Sequence, residues 1–99
     1  MRKELESLPR MKTCALLGKK YGQCSGRIQW HHVFLYAGTQ INELWAILGV
    51  CENHHEQVKT NKKVRNALEL ISLGLATEQD LAKYPKKDWS LAWLHASSN

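Results

Sequence analysis

Four of the chain's five histidines stand in two doublets, His31-His32 and His54-His55. The second doublet closes the run Cys51-Glu52-Asn53-His54-His55, and the other two cysteines, Cys14 and Cys24, precede the first doublet. Thiolate and imidazole are the donors that zinc-type ions prefer, and a closed structural site takes four of them, often as two pairs presented by turns. Cys51 and His54 have the spacing of a turn that opens into a helix. Cys14 and Cys24 make the second pair, with a longer interval than most zinc knuckles use. The bland alternative is that these two are ordinary buried thiols. The four residues together define an expected structural zinc site.

His31, His32 and His55 remain. A histidine pair on a strand, facing a histidine at a helix start, can hold one divalent ion and leave one imidazole as a general base near neutral pH. Such an ion stabilises charge on a phosphate and its leaving oxygen, and a helix N-terminus favours the same anion. These are the needs of phosphodiester hydrolysis. His95, alone near the C-terminus, is assigned no catalytic role.

The elements that must carry these groups can be read from local patterns. Met1–Arg10 is charged, contains Pro9 and reads as a loose arm or a short helix. Cys14–Gly26, with three glycines, reads as a knuckle bounded by cysteines. From Arg27 to Phe34 the alternation of Ile28, Trp30, His32 and Phe34 predicts a strand. Neighbours on a regular strand face opposite sides, so His31 and His32 share a site only if the strand ends or bulges there. Leu35–Leu44 is the connection of a hairpin, and Trp45–Val50 the second strand. Asn53 with Glu56 matches a capping box, so a helix is expected to begin at the second doublet. Asn61 can cap again, Val64, Ala67, Leu68 and Ile71 follow at helical spacing, and Gly74 is the expected stop. Thr77 with Asp80 marks a short helix ending before Pro85. Trp89 and Trp93 are spaced to pack one side of a terminal turn.

These 99 residues are enough for one domain, and 43% hydrophobic content is enough for a core. The expected fold class is α+β: an arm over 1–12, a core of knuckle, β-hairpin and helix over 13–63, and a helical extension of the same domain over 64–99. Fourteen Lys+Arg against nine Asp+Glu leave a net charge of +5, which points to a polyanion partner, nucleic acid first. Three cysteines cannot form a pure disulfide framework. The charged N-terminus lacks the apolar stretch of a signal peptide, and no run approaches the roughly 20 apolar residues of a membrane span. A cytoplasmic protein with reduced thiols and no membrane partner is expected.

The pattern His31-His32, loop, short strand, Cys51-x-x-His54-His55 resembles the HNH endonucleases, the ββα-metal nucleases. The resemblance covers roughly residues 14–63. It implies a treble-clef-like core, His31 and His55 as ligands of a catalytic Mg²⁺ or other divalent cation such as Mn²⁺, and His32 as the base. It also implies products with 5′-phosphate and 3′-hydroxyl ends. The family's frequent Cys-x-x-Cys-His ending here has histidine for the second cysteine, a mild change for zinc. Its asparagine, nine residues ahead of the helix histidine, falls on Ala46. Asn42 is the nearest upstream asparagine and is assigned that bracing role. Small proteins of this kind suggest phage or prophage DNA processing, in a bacterial or phage-infected cell.

Lys59, Lys62, Lys63 and Arg65 on one side of the sequence, and Lys19, Lys20 and Arg27 on the other, are the expected phosphate contacts. No base-reading helix is evident, so weak sequence specificity on DNA is expected. Phosphodiester chemistry does not choose the sugar, so RNA stays open as a substrate. A homodimer would ease cutting of both strands. The rival reading is a non-catalytic zinc module that binds DNA or a protein.

Overall fold

A computed structural model of the chain describes residues 2–85. The expected terminal turn with Trp89 and Trp93, and His95, lie outside the described residues. Over those residues the chain is α+β, with two small antiparallel sheets and several helices.

The N-terminal segment folds as α1 (Arg2–Ser7) and a 3-10 turn over Pro9–Lys12. It is tied down rather than loose. Leu5 and Met11 bury against Ile47, and Arg10 donates from Nη1 to the Ile47 carbonyl (2.7 Å) and from Nη2 to the Leu44 carbonyl (2.6 Å). A guanidinium that satisfies two carbonyls removes much of the cost of covering them.

The principal sheet pairs β1 (Ile28–His32) with a later strand over Ile47–Cys51, antiparallel, from Ile28 opposite Cys51 to His32 opposite Ile47. Between them lies an addition to the expected connection. A second hairpin, β2 (Leu35–Tyr36) and β3 (Thr39–Gln40), turns at Ala37-Gly38 with φ of 52° and 81°. Two successive positive φ values are what a two-residue hairpin turn of matching twist requires. The later strand, β4, starts at Ile47 and not at Trp45, because Leu44–Ala46 close a 3-10 turn in which the Ala46 N–H donates to the Glu43 carbonyl (3.0 Å). Every residue of β4 is buried. Leu48 and Val50 face Leu16, Val64 and Leu68, while Ile47 faces Leu5 and Met11. Cover on both sides accounts for its unbroken apolar run.

Three helices follow: α2 (Glu52–Gln57), α3 (Lys62–Leu75) and α4 (Glu78–Ala82). Asn61 caps α3, its Oδ1 accepting from the N–H groups of Lys63 (3.0 Å) and Val64 (3.3 Å). Val64, Ala67 and Leu68 are buried at the expected spacing. The helix runs past Gly74 to Leu75, because Leu73 and Ala76 pack on either side of that turn against Ile41, Trp45 and Leu81. Burial of these flanking side chains outweighs the modest helix penalty of an exposed glycine. The Thr77–Asp80 capping box is formed in both directions. Ser72 Oγ donates to the Trp45 carbonyl (2.7 Å), fixing α3 to the segment before β4. Among the described residues no helix is long and apolar enough to cross a membrane.

Candidate metal centre and histidine site

Both legs of the knuckle are anchored by backbone contacts. On the outgoing leg the Ala15 N–H donates to the Gly49 carbonyl (2.8 Å), which sets Cys14 beside β4. Gly49 permits this approach: a Cβ there would lie 3.0 Å from the Met11 carbonyl oxygen and 3.1 Å from that of Thr13. On the return leg three bonds tie 23–27 to the first turn of α2. The Asn53 N–H donates to the Ser25 carbonyl (3.2 Å), Asn53 Nδ2 to the Gln23 carbonyl (2.8 Å), and the Arg27 N–H to Glu52 Oε1 (3.2 Å). Gly26, at φ +82°, sits where a Cβ would collide with the Glu52 side chain at 2.7 Å.

Asn53 is therefore a tether and not the helix cap expected from its sequence. The cap is Cys51, whose extended backbone presents Sγ to the His54 N–H (3.4 Å). Asn53 lies within the helix's first turn, and its amide is drawn outward to the knuckle.

The ligand atoms of Cys14, Cys24, Cys51 and His54 lie within 4.8 Å of one another. His54 Nδ1 is 3.2 Å from Cys51 Sγ and 3.6 Å from the sulfurs of Cys14 and Cys24. Tetrahedral zinc, with bonds of about 2.3 Å to sulfur and about 2.0 Å to nitrogen, separates those atoms by about 3.5 Å. On its other side His54 Nε2 donates to the Tyr21 carbonyl at 2.8 Å, which leaves the Nδ1 lone pair directed at the sulfurs. The four residues are positioned to bind a metal, and the donor set is one that zinc takes. Burial raises the Cys51 thiol, but the N–H groups of His54 and Ser25 and the neighbouring thiols outweigh it and bring it to about 7. Burial, then the Cys14 and Cys51 sulfurs, push Cys24 up to about 12. The Cys51 thiolate forms readily and that of Cys24 is opposed, so ionising both calls for a cation beside them.

His55, the next residue along α2, belongs to a different group. Its ring meets that of His31 edge to face, with centroids 5.2 Å apart. His31 is half-buried, and burial, then the charges of His55 and His32, lower its pKa to about 4. It therefore presents a neutral imidazole near pH 7. β1 ends at His32, after which the Val33 N–H donates to the Ala46 carbonyl (2.9 Å), so the doublet stands at a strand end. His32 Nε2 lies 3.4 Å from Asn42 Oδ1. An amide oxygen only accepts, so the contact is a hydrogen bond in the His32 tautomer that carries its proton on Nε2, which leaves Nδ1 as the free acceptor. Ala46, at the register where the HNH resemblance expects an asparagine, is buried and offers only backbone groups. Among the described residues, the three-cysteine, one-histidine group is the only cluster of three or more such donors; His31 and His55 are a pair.

Lys19, Lys20, Arg27, Lys59, Lys62, Lys63 and Arg65 are exposed. Arg65 also donates from Nη1 to the Val58 carbonyl (3.1 Å), joining α3 to the end of α2. Sequence reasoning missed the Tyr21 carbonyl, which as a backbone group carries no residue-type signal. It also missed a 2.6 Å hydrogen bond from Tyr84 Oη to Glu43 Oε2, which spans 41 positions and leaves no local pattern. No protein-family model matches the chain, and neither does any curated protein or solved structure.

Proposed function

We propose that the protein is a metal-dependent endonuclease that hydrolyses DNA phosphodiester bonds with the residue assignment of the HNH enzymes. In this reading the knuckle, β1, β4 and α2 form a treble-clef-like ββα-metal core folded around zinc. The observation that carries it is the meeting of His31 with His55 immediately beside the metal-binding cluster, with His32 and Asn42 in contact at the end of the same strand.

His31 and His55 would hold the catalytic ion, which when bound stabilises charge on the scissile phosphate and its leaving oxygen. Two imidazoles suit Mn²⁺ and later transition ions better than Mg²⁺, which prefers oxygen donors. His32 takes a proton from water through Nδ1 while its Nε2–H stays on Asn42. The water oxygen bonds to phosphorus, the bond from phosphorus to O3′ breaks, and O3′ is protonated from solvent. The products carry 5′-phosphate and 3′-hydroxyl ends. The exposed basic residues of the knuckle and of α3 supply non-specific attraction to the phosphate backbone.

Alanine at 46 favours the competing reading, a non-catalytic zinc-stabilised treble-clef module that binds DNA or a protein partner. Cleavage of supercoiled plasmid with Mn²⁺ or Mg²⁺, wild type beside His32→Ala, decides between them. Cleavage by the wild type that is lost in a folded His32→Ala supports the nuclease. Zinc and DNA binding without cleavage by either overturns it in favour of the module.

A further inference from the structure

Asn42 is an exposed residue between two anchored neighbours. On one side Ile41 is buried, and its N–H donates to the Phe34 carbonyl (2.9 Å). On the other, the Glu43 carboxylate accepts the Tyr84 hydroxyl at 2.6 Å. Tyr84 is itself held. Its N–H donates to the carbonyl of Leu81 (3.0 Å), a buried residue of α4. Its ring meets those of Tyr36 and Trp45, with centroids 5.5 and 6.4 Å away. The His32 to Asn42 contact, at 3.4 Å, lies at the long edge of hydrogen-bond range and is sensitive to small displacements of the loop.

We infer that Tyr84 is a positioning residue for His32, acting through Glu43 and Asn42. The hydroxyl fixes the Glu43 side of the loop, and the fixed loop presents Asn42 Oδ1 to His32 Nε2. The proton donor is secure, because the Glu43 carboxylate and burial both raise the phenol above its ordinary range. Tyr84, held to the end of α4 by its N–H, thus acts on the histidine site from outside it. The role of this chain in catalysis rests on the nuclease reading above; the link from Tyr84 to the His32 ring does not.

The test is ring-¹⁵N histidine spectroscopy of the zinc-loaded protein at one fixed pH, alongside plasmid cleavage kinetics. Tyr84→Phe keeps the ring and removes only the hydroxyl. The expected result is that its His32 signals move away from the Nε2–H tautomer, in the same direction as in Asn42→Ala, and that kcat falls by about fivefold with KM unchanged. Glu43→Gln retains an acceptor oxygen and keeps the wild-type signals, as does Tyr36→Phe. Unchanged His32 signals in folded Tyr84→Phe overturn the inference. Should Tyr84→Phe fail to fold, Glu43→Ala breaks the same bond from the other end, and unchanged His32 signals there overturn it equally. Shifted signals in a protein whose wild type cuts no DNA support the positioning link and remove the nuclease reading alone.

Discussion

His54 and His55 are consecutive residues of α2 that belong to separate groups: His54 is buried with Nδ1 3.2 Å from Cys51 Sγ, while the His55 ring meets His31 at 5.2 Å. Successive helix positions differ by about 100° in direction, so one short helix can serve an interior cluster and an adjoining surface site. Movement of α2 is thereby coupled to both.

The first consequence concerns metal content. The protein is expected to contain one zinc per chain, measured by mass spectrometry under native conditions, and to lose its cooperative thermal transition when the ion is chelated. Cys14→Ser and His54→Ala should each release the ion and unfold the knuckle, because binding free energy in small metal domains is folding free energy. Retention of stoichiometric zinc by His54→Ala would contradict the assignment.

Loss of either proposed ligand of the catalytic ion should act on metal dependence before anything else. His31→Ala and His55→Ala are expected to raise the Mn²⁺ concentration for half-maximal cleavage by roughly tenfold or more, with zinc content unchanged. Combined, they should cost less than the sum of the two, since they share one ion.

Acid should weaken the fold through His31. Its pKa is about 4 in the folded chain against an ordinary 6.5. The unfolded chain therefore binds the proton first. The contribution of neutral His31 is fully present above pH 6.5 and is lost as pH falls from 6.5 toward 4. Denaturant titrations of wild type and His31→Gln across that window should show the wild type losing more stability, with the cysteine ligands cancelling in the difference. Parallel curves would refute the shift.

Gly49→Ala tests the close approach between β4 and the N-terminal segment. The added methyl would press on two backbone carbonyls at 3.0 and 3.1 Å, which cannot rotate away. A loss of about 1–3 kcal/mol is expected in urea unfolding. An unaffected midpoint would mean that residues 11–13 yield without cost.

At Asn61 a different kind of support is at stake. Replacing it with Ala removes the acceptor for two N–H groups at the start of α3 and should cost about 1 kcal/mol, whereas Asp should serve as well as Asn.

What the sequence determined by itself is what neighbours along the chain decide. The Cys51 and His54 pair, the Asn61 cap and the Thr77–Asp80 box are legible because their partners lie within four positions. The strand at Ile28–His32 and the buried stripe of α3 are legible because period and burial are linked. Cys14 and Cys24 are legible as ligands from residue type, but only the tertiary structure brings them to His54, 40 and 30 positions away, since chain closure and not spacing sets that distance. It likewise took the helix cap from Asn53 and gave it to Cys51, because the knuckle competes for the Asn53 amide. It set Asn42 beside His32 where simple register points to Ala46, because the small β2–β3 hairpin and the 3-10 turn re-route the loop. Contacts between residues far apart in sequence depend on how whole elements pack, and no local pattern records them.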